Sequence, residues 1–94
     1  MIKVNNGVIS KRFNELTARI EYYLSIECNN EKEHSALFLN LIENKKNLEI
    51  CINNVFTYNF VNEYTLLDIT TREDLLKGEY QIIVQFFKQA SGGN

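Results

Sequence analysis

Apolar and polar side chains alternate without a break over residues 17–28. Ala18, Ile20, Tyr22, Leu24, Ile26 and Cys28 fall on one side, and Arg19, Glu21, Tyr23, Ser25 and Glu27 on the other. A period of two is what a half-buried strand demands, so the pattern predicts a strand over 17–28. Ile9, Phe13, Leu16, Ile20 and Leu24 also fit a helical stripe, with Ser10 as an N-cap. The alternation persists to residue 28 and its polar side is continuous, which favours the strand and leaves room for a helical turn before it. Upstream, Val4-Asn5-Asn6-Gly7-Val8-Ile9 places Asn-Gly between β-branched residues, the local signature of a hairpin.

Downstream of a polar turn at 29–34, Ala36-Leu37-Phe38-Leu39-Asn40-Leu41-Ile42 is apolar on both sides, and its short length predicts a strand over about 35–43. Glu43 to Asn47 reads as a hairpin loop. Alternation resumes at Leu48, Ile50 and Ile52, breaks at Asn53-Asn54 as a bulge or bend would, and restarts with Phe56, Tyr58 and Phe60 on one face, which gives a strand over about 47–60. Thr71-Arg72-Glu73-Asp74-Leu75-Leu76-Lys77-Gly78 has the order of a capped helix over about 72–77: a Thr cap, an acid at N3, a basic last turn and a closing glycine. A last strand over about 79–89 carries Tyr80, Ile82, Val84 and Phe86 on one face, opposite Gln81, Ile83, Gln85 and Phe87. The expected class is α+β, predominantly β: an antiparallel sheet of four to five strands with an N-terminal Asn-Gly hairpin and one short helix. Residues 1–89 form one small domain in this reading, and the tail Ala90-Ser91-Gly92-Gly93-Asn94 is expected to be disordered.

Strands 35–43 and 79–89 both read as apolar on two faces, whereas an antiparallel sheet ordinarily wets one of them. A helix of six residues cannot cover a whole second face. Closure of the sheet on itself, a homodimer and a different protein partner are the three ways to hide it.

Composition narrows the function classes. Ninety-four residues, 45% hydrophobic and 23% charged, with a net charge of −2, suit an ordinary globular domain and argue against a general nucleic-acid binder. No apolar run approaches membrane-spanning length and the N-terminus lacks a signal-peptide core, so no membrane partner and a cytoplasmic location are expected. The two cysteines, Cys28 and Cys51, are too few for a disulfide framework and are read as reduced and partly buried. Thirteen asparagines form no Asn-x-Ser/Thr acceptor, and the Asn, Lys and Ile richness matches the coding bias of an AT-rich genome, such as that of a low-GC bacterium or its phage.

Catalytic and metal-binding patterns are weak. His34, the only histidine, lies six residues after Cys28, a spacing that matches no standard zinc motif, and is expected in an exposed turn. Neither a phosphate loop nor a Gly-x-Ser-x-Gly elbow nor a Cys-x-x-Cys pair is present, so an enzyme, a cofactor and a metal are not expected. Phe56, Tyr58, Phe60 and Tyr64 could form a stacking platform, but residues 53–71 contain no Lys or Arg to hold a nucleic acid.

The run from Ala18 to Phe60 is similar to the strand region of SecB-type export chaperones, over about 40 residues; that family's proline-containing segment and long C-terminal helix have no counterpart here. The resemblance implies a holdase module, and it carries over no binding residues. The leading expectation is a small non-enzymatic interaction protein that binds and blocks or neutralises a partner protein, of the kind encoded by phages as inhibitors or serving as immunity proteins. A structural subunit of a phage particle or other assembly is the further class. Tyr23, Phe56, Tyr58 and Phe87 are the candidate partner-binding residues, because desolvated aromatic rings are efficient anchors.

Overall fold

The computed structural model describes residues 1–89. Over these residues the elements run β1 (Ile2–Val4), β2 (Gly7–Asn14), β3 (Arg19–Cys28), α1 (Glu31–Glu43), β4 (Glu49–Ile52), β5 (Phe56–Asn59), β6 (Tyr64–Asp74) and β7 (Glu79–Lys88). The strands form an antiparallel four-stranded sheet in the order β2-β3-β7-β6 and a three-stranded sheet in the order β1-β4-β5. β1 runs parallel to β4, and β5 runs antiparallel to it. The class is α+β, predominantly β, as the residue pattern indicates. The tail 90–94 expected to be disordered lies outside the described residues.

The strands predicted over 17–28 and 79–89 form as Arg19–Cys28 and Glu79–Lys88, with Thr17 and Ala18 in the preceding loop, and five other expectations change. The Asn-Gly segment makes no hairpin, because β1 pairs with β4 while β2 pairs with β3, so Asn5 and Asn6 cross from one sheet to the other. Gly7 serves close approach here: a Cβ on it would lie 2.7 Å from Ile52 Cγ2 and 3.1 Å from Leu24 Cδ1, where the two sheets meet. Asn53 holds this junction. Its backbone N–H donates to the Val4 carbonyl at 2.8 Å, and its side chain donates to the Gly7 carbonyl at 3.0 Å and accepts from the Gly7 N–H at 3.2 Å.

Residues 35–43 belong to a helix rather than a strand. The Asn30 side chain caps it by accepting from the Glu33 N–H at 2.9 Å, and the Glu33 carboxylate accepts from the Asn29 N–H at 3.0 Å. Local capping decides the geometry. Leu37, Phe38, Leu41 and Ile42 then make one helical stripe against the sheet instead of two strand faces. His34 is correspondingly buried at 2% exposure and not in an exposed turn; its Nε2–H donates to the Gln81 carbonyl at 2.9 Å and its ring packs 5.5 Å from Tyr80.

The predicted single strand over 47–60 is two strands. Asn53 and Asn54 both take positive φ, 53° and 58°, and the Val55 N–H closes the reversal onto the Ile52 carbonyl at 2.9 Å. The predicted helix at 72–77 is absent among the described residues: Arg72, Glu73 and Asp74 end β6, and Asp74 Oδ1 accepts from the Lys77 N–H at 3.2 Å to fold a four-residue loop into β7. Gly78, at φ 65°, ends that loop and does not end a helix. β6 itself was not foreseen, since a register shift between Leu66 and Asp68 interrupts its alternation.

One face of the large sheet carries Leu24, Ile26, Ile82, Val84 and Phe86, all buried, and receives α1 together with Val4, Ile50 and Ile52 of the small sheet. Tyr22, Tyr58, Phe60 and Tyr64 ring Phe86 at centroid distances of 4.9 to 5.4 Å. The chain thus roofs one face of its own large sheet. With residues 36–42 helical, the expected excess of doubly apolar strands shrinks to β7, whose outward Ile83 and Phe87 are half-buried.

Candidate functional site

The four expected partner-binding residues lie on two different surfaces. Tyr23 and Phe87 are on the outward face of the large sheet, around Glu21, which is 3% exposed although no element covers it. The Glu21 carboxylate accepts from Asn14 Nδ2 at 3.2 Å, from the Tyr23 hydroxyl at 3.4 Å and from Gln85 Nε2 at 3.4 Å, with Arg19 Nε at 3.6 Å. The Arg19 guanidinium lies 3.8 Å above the Phe87 ring. Burial of a carboxylate is expensive unless it is bonded, and these neighbours bond it. The Tyr23 hydroxyl and the Phe87 ring are therefore tied into this network, in which Arg19 Nε is buried and reaches Glu21 only as an ion pair.

Phe56 and Tyr58 are on the opposite, inward side. Together with Gly7, Ile9, Ile52 and Val55 they line a mainly apolar groove of about 300 Å³ between β2 and the β4–β5 hairpin. Tyr58 anchors the groove against Tyr64 and Phe86 at 5.1 and 5.3 Å. Phe56 and Val55 stand at its mouth, 64% and 72% exposed.

The groove continues onto residues that pattern reading passed over. Pairing between β3 and β7 begins only at Glu21 opposite Phe87, so the end of the β2–β3 hairpin projects past the central strand. On its inward side Phe13 lies opposite Ile20, and the two are 57% and 50% exposed. Lys11 follows on the same side, with its ammonium 5.4 Å above the Tyr22 ring, and then Ile9 at the groove. Phe13, Ile20, Lys11, Ile9, Phe56 and Val55 thus form one continuous surface, apolar except for a single cation. Phe13 and Ile20 share the alternation of β2 and β3, and the residue pattern alone gave no sign that they lie beyond the cover of the small sheet.

β2 is an edge strand, paired in unbroken register with β3 from Gly7–Ile26 to Asn14–Arg19. It carries Lys11 and Arg12 and no acid. Reactive groups lie elsewhere. Cys28 and Cys51 are free thiols, both partly buried. Burial, then the Glu33 and Glu27 carboxylates, push the Cys28 thiol above its ordinary value, which makes it a poor nucleophile. Burial also raises Tyr58 and Tyr64, with neighbouring tyrosines adding to the effect. Among the described residues no three His, Cys, Asp or Glu side chains converge in a metal-binding group, and no helix is long and apolar enough to cross a membrane.

No protein-family model, curated protein or solved structure matches this chain. The strand-loop-strand pattern behind the SecB-type resemblance does not persist either, since its middle third is α1.

Proposed function

We propose that the protein is a non-enzymatic interaction module of the cytoplasm that binds a partner protein, and blocks or neutralises it, through the inward surface of the β2–β3 hairpin and the adjoining groove. The observation that carries this reading is that Phe13, Ile20, Val55 and Phe56, each about half exposed or more, lie along one surface in which Ile9 and Lys11 join the hairpin end to the groove. Contiguous exposed apolar surface is costly to keep wet, and on a folded monomer it commonly marks an interaction site. Phe56 and Tyr58 remain in the site on this reading. Tyr23 and Phe87 become a secondary surface, because the Tyr23 hydroxyl and the Phe87 ring already have partners.

The test is co-purification from the cells that produce the protein. The wild type is expected to retain one stoichiometric partner. The double variant Phe13→Asp/Phe56→Asp should lose it, and Leu76→Asp, at a fully exposed loop position on the other end of the sheet, should keep it. Retention by the double variant would refute the assignment. Suppression of aggregation of several unrelated unfolded proteins, with no single stoichiometric partner, would favour a holdase instead.

A further inference from the structure

The edge of β2 specifies what kind of segment it receives. The Gly7 N–H and carbonyl both bond Asn53, and the Asn6 carbonyl accepts from the Glu27 N–H at 3.1 Å, which fixes the phase of the β2–β3 ladder. In an antiparallel pair, residues alternate between bonding the neighbour and facing away. Val8, Ser10, Arg12 and Asn14 therefore bond β3, while Ile9, Lys11 and Phe13 turn their N–H and carbonyl groups to the open edge. The same three side chains lie on the inward surface beside the groove. Unpaired main chain and receptive side-chain sites are thus presented together, as strand addition requires.

The opposite edge of the sheet is blunted. β6 is broken by its register shift at Leu66/Asp68, and Asp68, Glu73 and Asp74 lie along it. β2 has neither a shift nor an acid.

We infer that β2 accepts, by strand addition, an extended segment of another protein with an acidic residue opposite Lys11 and bulky apolar residues two positions to either side of it, opposite Ile9 and Phe13. This deepens the proposed function and rests on it. Residues directly opposite each other across a strand pair share a face, so the acid meets the Lys11 ammonium while the flanking apolar side chains meet Phe13 and the groove. Lys11, on a strand that carries no acid, sets the charge of the partner on this surface. A second copy of this chain does not fit. Twofold pairing of β2 with itself through all three open residues sets Lys11 against Lys11, and none of the twelve acidic residues of the chain has bulky apolar residues two positions away on both sides.

The test uses two fluorescein-labelled heptapeptides, Thr-Val-Thr-Glu-Thr-Phe-Thr and its Lys-centred counterpart, with anisotropy titration of the intact protein and amide hydrogen exchange. The Glu peptide is expected to bind about tenfold more tightly or better, and Lys11→Glu to reverse the order. Lys11→Pro takes away the ammonium and the outward N–H but no bond between β2 and β3, and should weaken binding of the Glu peptide about tenfold more than Lys11→Ala does. In the complex the amides of Ile9, Lys11 and Phe13 should gain protection, and those of Val8 and Ser10 should not change. Absence of binding, equal affinity for the two peptides, or no protection at Ile9, Lys11 and Phe13 would overturn the inference. If that alone fails, capture of the native partner still falls with Phe13→Asp/Phe56→Asp and is indifferent to Lys11→Glu and Lys11→Pro. If the underlying reading fails, partner capture ignores the aspartate substitutions as well.

Discussion

Two residues at matching places in two hairpins show how local backbone chemistry is distributed. Ala18 and Gly78 each close a four-residue loop, 15–18 between β2 and β3 and 75–78 between β6 and β7, and each has positive φ, 54° and 65°. Each loop follows an Asn or Asp whose Oδ1 accepts from a loop N–H, Leu16 in one and Lys77 in the other. Only the glycine is at ease in that conformation, since a Cβ there costs roughly 1–2 kcal/mol. Ala18→Gly should accordingly stabilise the protein by about 0.5–1 kcal/mol once the added freedom of the unfolded chain is deducted, and Gly78→Ala should destabilise it by about 1 kcal/mol. Urea unfolding of the two variants checks both signs.

At the scale of elements, the junction between the sheets is the most sensitive point. A methyl group at Gly7 would collide with Ile52 and crowd Leu24, both buried, so Gly7→Ala should cost about 1–3 kcal/mol by overpacking. A stability unchanged in urea would show that the two sheets slide apart freely there. The same junction explains how much of the architecture was legible in the sequence. β3 and β7 could be read because each buries one face, and period two records that. Asn5-Asn6-Gly7 could not, because the same residues suit a tight turn and a crossover, and only the distant Ile52 and Asn53 decide between them. α1 was hidden because Ala36 to Ile42 is dense in apolar residues, while the decisive signal was the short polar Asn30-x-x-Glu33 before it. Thr71 to Gly78 misleads for the converse reason: an Asp before a loop and a glycine at its end serve a hairpin as well as a helix. Of the candidate site, Phe56 and Tyr58 were legible as aromatic residues on one strand face. Phe13 and Ile20 were not, because their exposure depends on where the small sheet stops.

The whole molecule measures 49 × 28 × 23 Å, long for its size, in keeping with a hairpin that outreaches its neighbours. Its core closes on a ring of aromatic side chains that includes the half-buried Tyr58 and Tyr64, and this sets a limit at high pH. Burial raises the folded-state values of Tyr58 and Tyr64, so the unfolded chain loses those protons first. Their contribution is fully present below the ordinary tyrosine value of about 10 and is lost as pH rises from there through the raised folded-state values. Thermal melts should therefore show a fall in stability above about pH 10 that is smaller in Tyr58→Phe/Tyr64→Phe than in the wild type. Equal falls in the two proteins would mean that other groups govern the alkaline limit.

The most direct measurement is photo-cross-linking in the producing cells, with benzoylphenylalanine placed singly at positions 13, 56, 23 and 87. Positions 13 and 56 lie on the inward surface, and 23 and 87 on the outward face of the sheet. The account predicts the same discrete adduct from 13 and 56 and none from 23 and 87. An adduct from 23 and 87 with none from 13 and 56 would place binding on the wrong side of the sheet and contradict it.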